Sequence, residues 1–205
     1  MNVVTISREF GSGGREFGKR LAERLGYVYY DREIEENIAK RMDMDPGYVA
    51  QAIEHGTFPN IPLHFGRTLG SVQVLRQKVD ILVEKQKVLK EIASASNCVI
   101  VGRAADVILG EYKPFRIFVY ADMAYKIERC QKYGETGKAQ SPRDLEKAIK
   151  KIDSGRSQYH KLFMDIEWGR KENYELCVNT TGLTMKKIVL PIAEYVKNWF
   201  EEEKR

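Results

Sequence analysis

The chain is poor in the features that would place it outside a reduced, aqueous compartment. Three cysteines in 205 residues, Cys98, Cys130 and Cys177, stand too far apart for a metal-ligand spacing. Two of them lie inside apolar runs, so reduced thiols are expected rather than a disulfide framework. No apolar run approaches the roughly 18–20 residues that span a bilayer. The N-terminus lacks the basic, apolar and small-residue order of a secretory signal, so the expected location is the cytoplasm, without a membrane partner. No serine lies in a G-x-S-x-G elbow, which argues against a hydrolase. His55, His64 and His160 show neither a nucleophile nor a metal pattern and read as surface or packing residues. Repeats and low-complexity segments are missing as well.

A concentrated block of charge is also lacking. The 34 Lys and Arg exceed the 29 Asp and Glu by a net +5, but they are spread along the chain. The segment from Lys138 to Lys161 is the most basic, yet aromatic residues do not alternate with its cations as a base-stacking platform requires. The expected partner is therefore a phosphate-bearing small molecule, with nucleic acid the disfavoured alternative and the oligomeric state open.

What is present begins at residue 3. Val3-Val4-Thr5-Ile6 reads as a buried parallel strand, and Phe17, Leu21, Ala22 and Leu25 recur at helical spacing. Between them lies Ser7-Arg8-Glu9-Phe10-Gly11-Ser12-Gly13-Gly14-Arg15. A strand, a glycine-rich turn and a helix N-terminus make an anion site, because the backbone approaches closely and its N–H groups and the helix dipole face inward. The loop departs from G-x-x-x-x-G-K-[ST]: Gly14 falls at the lysine position, and neither Arg15 nor Glu16 after it carries a hydroxyl. Arg15 is the candidate for the missing cation. Glu16 would repel phosphate unless a metal ion or an arginine lay between them.

Strands at Val3–Ile6, Tyr27–Tyr30, Cys98–Val101, Phe115–Tyr120 and Tyr174–Val178 alternate with helical segments. That pattern predicts an α/β fold of three layers with a central parallel sheet of about five strands. Residues Met42 to Gly70 read as a loop-rich insertion, and apolar positions on two sides of Ser71 to Ser96 predict a largely buried helix. Ligands of such sheets sit beyond the carboxyl ends of the strands. Those ends carry Ser7-Arg8, Asp31-Arg32, Gly102-Arg103, Asp122 and Asn179-Thr180. Arg103 is a candidate phosphate ligand or a structural salt bridge. Asp31 could hold a metal-bound water or a substrate hydroxyl, or cap the next helix. Arg67 and Arg76 are candidates for a second phosphate. Asp153 and Arg156, with Lys150 and Lys151, lie on one basic helix suited to a closing lid.

These residues resemble the cytidylate-kinase-like branch of the nucleoside monophosphate kinases, over nearly the whole chain. The stretches that carry the likeness are Thr5 to Glu16, Tyr29 to Ile34, Val99 to Ala105, Lys151 to Arg156 and Asn173 to Thr180. The resemblance implies a P-loop fold in one domain and transfer of the γ-phosphoryl group of ATP, with Mg²⁺, to a nucleoside monophosphate. It implies that Gly11, Ser12, Gly13, Gly14, Arg15 and Glu16 hold the ATP phosphates and that Asn179 and Thr180 lie near the adenine. Residues 42–70 would be the monophosphate-binding insertion, with Asp31, Arg67, Arg76 and Arg103 toward the acceptor. Residues 134–161 would be the lid, and Arg15, Arg103, Asp153 and Arg156 the catalytic set. Glu16 and Asp31 would meet Mg²⁺ through water. The alternative for a loop lacking the lysine is a nucleotide-binding sensor or partner module without turnover.

Overall fold

The computed structural model describes residues 1–55, 69–133, 141–164 and 166–203, apart from the side chains at 54–55, 69–72, 74–75 and 162–164. Among the described residues are five strands: β1 (Val3–Arg8), β2 (Val28–Tyr30), β3 (Cys98–Val101), β4 (Phe115–Tyr120) and β5 (Leu176–Asn179). They form one parallel sheet in the order β2-β3-β1-β4-β5, so the strand preceding the glycine loop is central. The helices are α1 (Gly14–Leu25), α2 (Glu33–Met42), α3 (Pro46–His55), α4 (Leu69–Ala95), α5 (Ala105–Ile108), α6 (Met123–Tyr133), α7 (Pro142–Met164) and α8 (Met185–Glu202).

The two-residue period of a strand explains how the sheet is covered on both faces. Along β1 and β3, Val4, Ile6, Val99 and Val101 enter one core with Phe17 and Leu21 of α1 and Val189 and Val196 of α8. Val3, Cys98 and Ile100 enter the other, with Ile34 and Ile38 of α2, Val49 and Ile53 of α3, and Ile81, Val88 and Leu89 of α4. Strands buried on both sides are apolar throughout instead of alternating. Helix α1 ends where expected: Gly26 takes the left-handed conformation (φ 69°) and donates its N–H to the carbonyl of Ala22.

Two expectations are corrected. The segment read as loop-rich contains α3. Its start carries Pro46 in the first turn and an Asp45 carboxylate that accepts the Tyr48 N–H at 2.9 Å; only Val49 and Ile53 mark its buried face. Among its described side chains, helix α4 is covered on one side, not two: Ile81, Val88 and Leu89 are buried, while Val79 and Val83 are 44% and 46% exposed. All three cysteines are free thiols. No described helix is long and apolar enough to cross a membrane.

Candidate active site

The chain leaves β1 at Arg8 and turns through Glu9–Gly13 into α1. Gly11 and Gly13 adopt φ of 78° and 81°, a region L side chains avoid. A Cβ at Gly11 would fall 2.9 Å from the Lys126 carbonyl oxygen, so the loop lies directly on α6. Its own Ser12 and side chains from three other parts of the chain hold it. The Ser12 hydroxyl donates to the Glu9 carbonyl at 2.8 Å, and the Thr180 hydroxyl donates to the Ser12 carbonyl at 2.7 Å. The Glu9 carboxylate accepts from Lys126 Nζ at 2.9 Å, and the Phe10 N–H donates to Asp153 Oδ1 at 2.7 Å.

The end of β3 supplies a second, strained turn. Gly102, Arg103 and Ala104 have successive φ of 76°, 63° and 53°. For the two residues with a Cβ this costs about 1–2 kcal/mol each, the kind of strain that collects at functional sites. The turn sends Arg103 inward, where Nη2 donates to Glu35 Oε2 at 2.7 Å, Nη1 pairs with Glu35 Oε1, and Asp31 Oδ1 lies 3.5 Å away. Of the two readings the sequence left open for Arg103, the structure forms the salt bridge. Asp31 is shared with Arg15, whose Nε is 2.8 Å from Oδ2.

The glycine loop and this turn border one cavity of about 680 Å³. Gly11, Gly13 and Gly14 line it together with six arginines: Arg8, Arg15, Arg32, Arg103, Arg129 and Arg156. Its lining carboxylates are already engaged, Glu9 by Lys126 and Glu16 by Arg20 (3.0 Å) and Arg129 (3.2 Å). Arginine therefore stands beside Glu16, as a phosphate site with a carboxylate there requires. Arg8 is 8% exposed, and among the described residues its guanidinium has neither a hydrogen bond nor an ion-pair partner. Burial, with the charges of Arg156 and Arg103, pulls its pKa down to about 9.

Helix α7 closes one wall. Arg156 Nη1 donates to the Arg8 carbonyl at 2.9 Å and to Asp153 Oδ1 at 3.3 Å, which latches the helix to the loop. Burial holds the Asp153 carboxyl above the usual carboxylate range. Lys150 and Lys151 do not take part: both are exposed, and Lys150 pairs with Glu146. Below the arginines runs a buried polar chain, with the Ser7 hydroxyl donating to Asp106 at 2.9 Å and His160 Nε2 at 3.2 Å from the same carboxylate. His160 Nδ1 lies 3.1 Å from the Arg156 carbonyl. A carbonyl and an ionised carboxylate only accept, so this pair of neighbours favours the imidazolium, which donates from both ring nitrogens. Burial opposes that charge, but the hydrogen bond and charge of Asp106 outweigh it and hold His160 above its ordinary pKa. Asp106 is likewise held low by His160 and Ser7 against burial. His160 is a buried packing residue, as one of the two sequence readings had it, and is in addition hydrogen-bonded to Asp106.

Of the residues singled out in the sequence, Gly11, Gly13, Gly14, Arg15, Glu16, Arg103 and Arg156 line the cavity. Ser12, Asp31, Asp153 and Thr180 stand behind and hold those that do. Asn179 accepts the Thr181 N–H at 3.0 Å and Arg76 is exposed on α4; neither lines the cavity. Arg67 lies outside the described residues, as do 56–68 of the expected insertion and 134–140 of the expected lid. Among the described residues no three His, Cys, Asp or Glu side chains converge to hold a metal. Glu16 and Asp31 are each committed to arginines, so they do not fit a protein-held Mg²⁺. A triphosphate does fit, because the buried charge of Arg8 borders the same cavity as the loop glycines without a hydrogen-bond or ion-pair partner among the described residues.

Sequence reasoning put Arg8 at the rim as a strand end but gave it no role, and it left Arg129, Asp106, His160 and Lys85 out of the site. Lys85 is fully buried, meets the Tyr159 hydroxyl and is lowered to about 7 by burial and by Arg103. Helical spacing offered a signal, since Lys85 falls on the stripe of α4 that carries Ile81, Val88 and Leu89. Arg8 carried a usable signal, since it ends an all-buried strand.

The molecule is similar in structure to an uncharacterised protein from Eubacterium ventriosum, with 22% identity, a TM-score of 0.70, and 96% and 99% of the two chains covered. A shikimate kinase from Bacteroides thetaiotaomicron (13% identity, TM-score 0.56, 96% and 98% covered) shares the fold. So does a gluconokinase from Sinorhizobium meliloti (16% identity, TM-score 0.51, 98% and 97% covered). A search of curated proteins found no match. The family model described as the cytidylate kinase-like family matches residues 3–182. With that span matched and the glycine loop set on the central strand of a five-stranded parallel sheet, the chain belongs to the cytidylate kinase-like family.

Proposed function

We propose that the protein is a phosphotransferase that moves the γ-phosphoryl group of ATP to a small acceptor, with a nucleoside monophosphate as the acceptor class. The observation that carries this reading is the convergence of three loop glycines and six arginines on one cavity. Phosphoryl transfer asks little covalent chemistry of a protein; positioning and stabilisation of charge on the equatorial oxygens suffice. In this reading the loop amides and Arg8 bind the donor phosphates. Arg156 faces the transferring group, and Arg103, held by Glu35, faces the acceptor. Asp153 keeps α7 against the loop so that water is excluded. Residues 42–70 serve as the acceptor insertion and 134–161 as the lid.

Purified protein given MgATP and a panel of monophosphates should form ADP dependent on one acceptor, and Arg103→Ala should lose most of that rate. Glycine at position 14 favours a second reading, a nucleotide-binding sensor or partner module. ATP binding without turnover for any acceptor in the panel would establish that reading and dismiss the enzyme.

A further inference from the structure

We propose that Arg8 supplies, from the strand side of the loop, the phosphate-binding cation that residue 14 does not, forming an oxyanion site with the loop amides. The identity of the oxyanion as the terminal phosphates of ATP rests on the proposed function; the site itself does not.

Two glycines on neighbouring elements make room for this side chain. A Cβ at Gly14 would lie 2.5 Å from Arg8 Cβ and 2.8 Å from Cγ, so no side chain at 14 coexists with Arg8 in its place. A Cβ at Gly102 would lie 1.7 Å from Arg8 Nη1 and 2.6 Å from Cζ. The guanidinium therefore fills a berth that only glycine at both positions leaves open. Within it Arg8 is 8% exposed and, among the described residues, its guanidinium makes neither a hydrogen bond nor an ion pair. Its charged neighbours Arg156, Arg103 and Arg15 are also cations, and only Asp31 opposes them. An uncompensated buried charge is costly, and it faces the same cavity as Gly11, Gly13 and Gly14. A planar guanidinium fork suits two phosphate oxygens at once. Arg15, the other candidate, is 43% exposed and already gives its Nε to Asp31.

The test compares wild type, Arg8→Met, Arg8→Lys, Arg8→Ala, Gly14→Ala and the Arg8→Ala/Gly14→Lys double variant. Tripolyphosphate and ATP serve as calorimetric probes, and each protein is melted without ligand. Arg8→Met should melt higher than wild type when ligand-free, since a lone buried cation is gone. It should also bind both probes at least about tenfold more weakly, the loss of one charge-assisted bond. Arg8→Lys should fall between the two, Gly14→Ala should displace Arg8 and lose affinity, and the double variant should regain affinity over Arg8→Ala. Should Arg8→Met fail to fold, Arg8→Lys and Gly14→Ala decide. A lower ligand-free melting point with unchanged affinity would make Arg8 a structural residue and overturn the inference. Equal ATP binding by wild type and Arg8→Met would overturn it while leaving the kinase reading intact. Tripolyphosphate binding without ATP binding would uphold the Arg8 site and remove the nucleotide reading; binding of neither probe by wild type would overturn both.

Discussion

Glu35 offers the sharpest energetic test of the site, because it is the main counter-ion of an arginine that is itself buried. The side chains of Arg103 and Glu35 are 3% and 6% exposed. Deleting one partner of such a pair leaves a stranded charge and costs about 3–5 kcal/mol. Here Asp31 remains 3.5 Å from Arg103 Nη2 but is already bound by Arg15 at 2.8 Å, which holds the expected loss for Glu35→Met near the lower end, about 3 kcal/mol. In a chain of 205 residues that corresponds to a fall in Tm of about 6–12 °C. Glu35→Met/Arg103→Met replaces both charges with apolar side chains of similar length and should return to within about 1 kcal/mol of wild type. Guanidinium denaturation of wild type, both single variants and the double closes the cycle and yields the coupling energy. The folded double variant should still fail to transfer phosphate, which separates Arg103's contact with substrate from its part in stability. A Glu35→Met protein as stable as wild type, or a double variant no better than the single, would refute the reasoning.

Two further outcomes follow from the same geometry. His160 is raised above its ordinary value of 6.5, so its contribution is complete below that pH and fades as pH climbs through the raised value. Asp106, depressed below 3.8, contributes above that pH and loses its share on acidification. Denaturation curves taken from about pH 5 to 9 should show wild type losing stability toward high pH while His160→Gln stays flatter; parallel curves would deny that His160 is charged in the fold. Asp153→Ala removes the acceptor of the Phe10 N–H and half of the α7 latch. A hydrogen bond to a charged group contributes about 1.5–3 kcal/mol, so amide exchange at Phe10 should accelerate about 10–100-fold. Unchanged exchange there would mean that the loop holds its shape without α7.

The sequence by itself determined the layers and the glycine loop. Continuous apolar runs at Val3–Ile6 and Cys98–Val101, glycines at 11, 13, 14 and 26, and helical spacing from Phe17 to Leu25 are local signals, and the backbone obeys them. It also placed Arg15, Arg103 and Arg156 at the rim, because strand ends and helix faces can be counted along the chain. Tertiary structure alone decided which charges are spent. Arg15 and Arg103 are compensated by carboxylates 16 and 68 residues away in sequence, at Asp31 and Glu35, and the proton on His160 is favoured by the charge of Asp106, 54 residues distant. No spacing rule reaches across those separations. Arg8 is the clearest instance: it precedes the loop in plain view, yet its role depends on the emptiness of Gly14 and of Gly102, a residue on a different strand. Local pattern sets where a side chain starts, whereas the value of its charge depends on what the fold brings within a few ångströms of it.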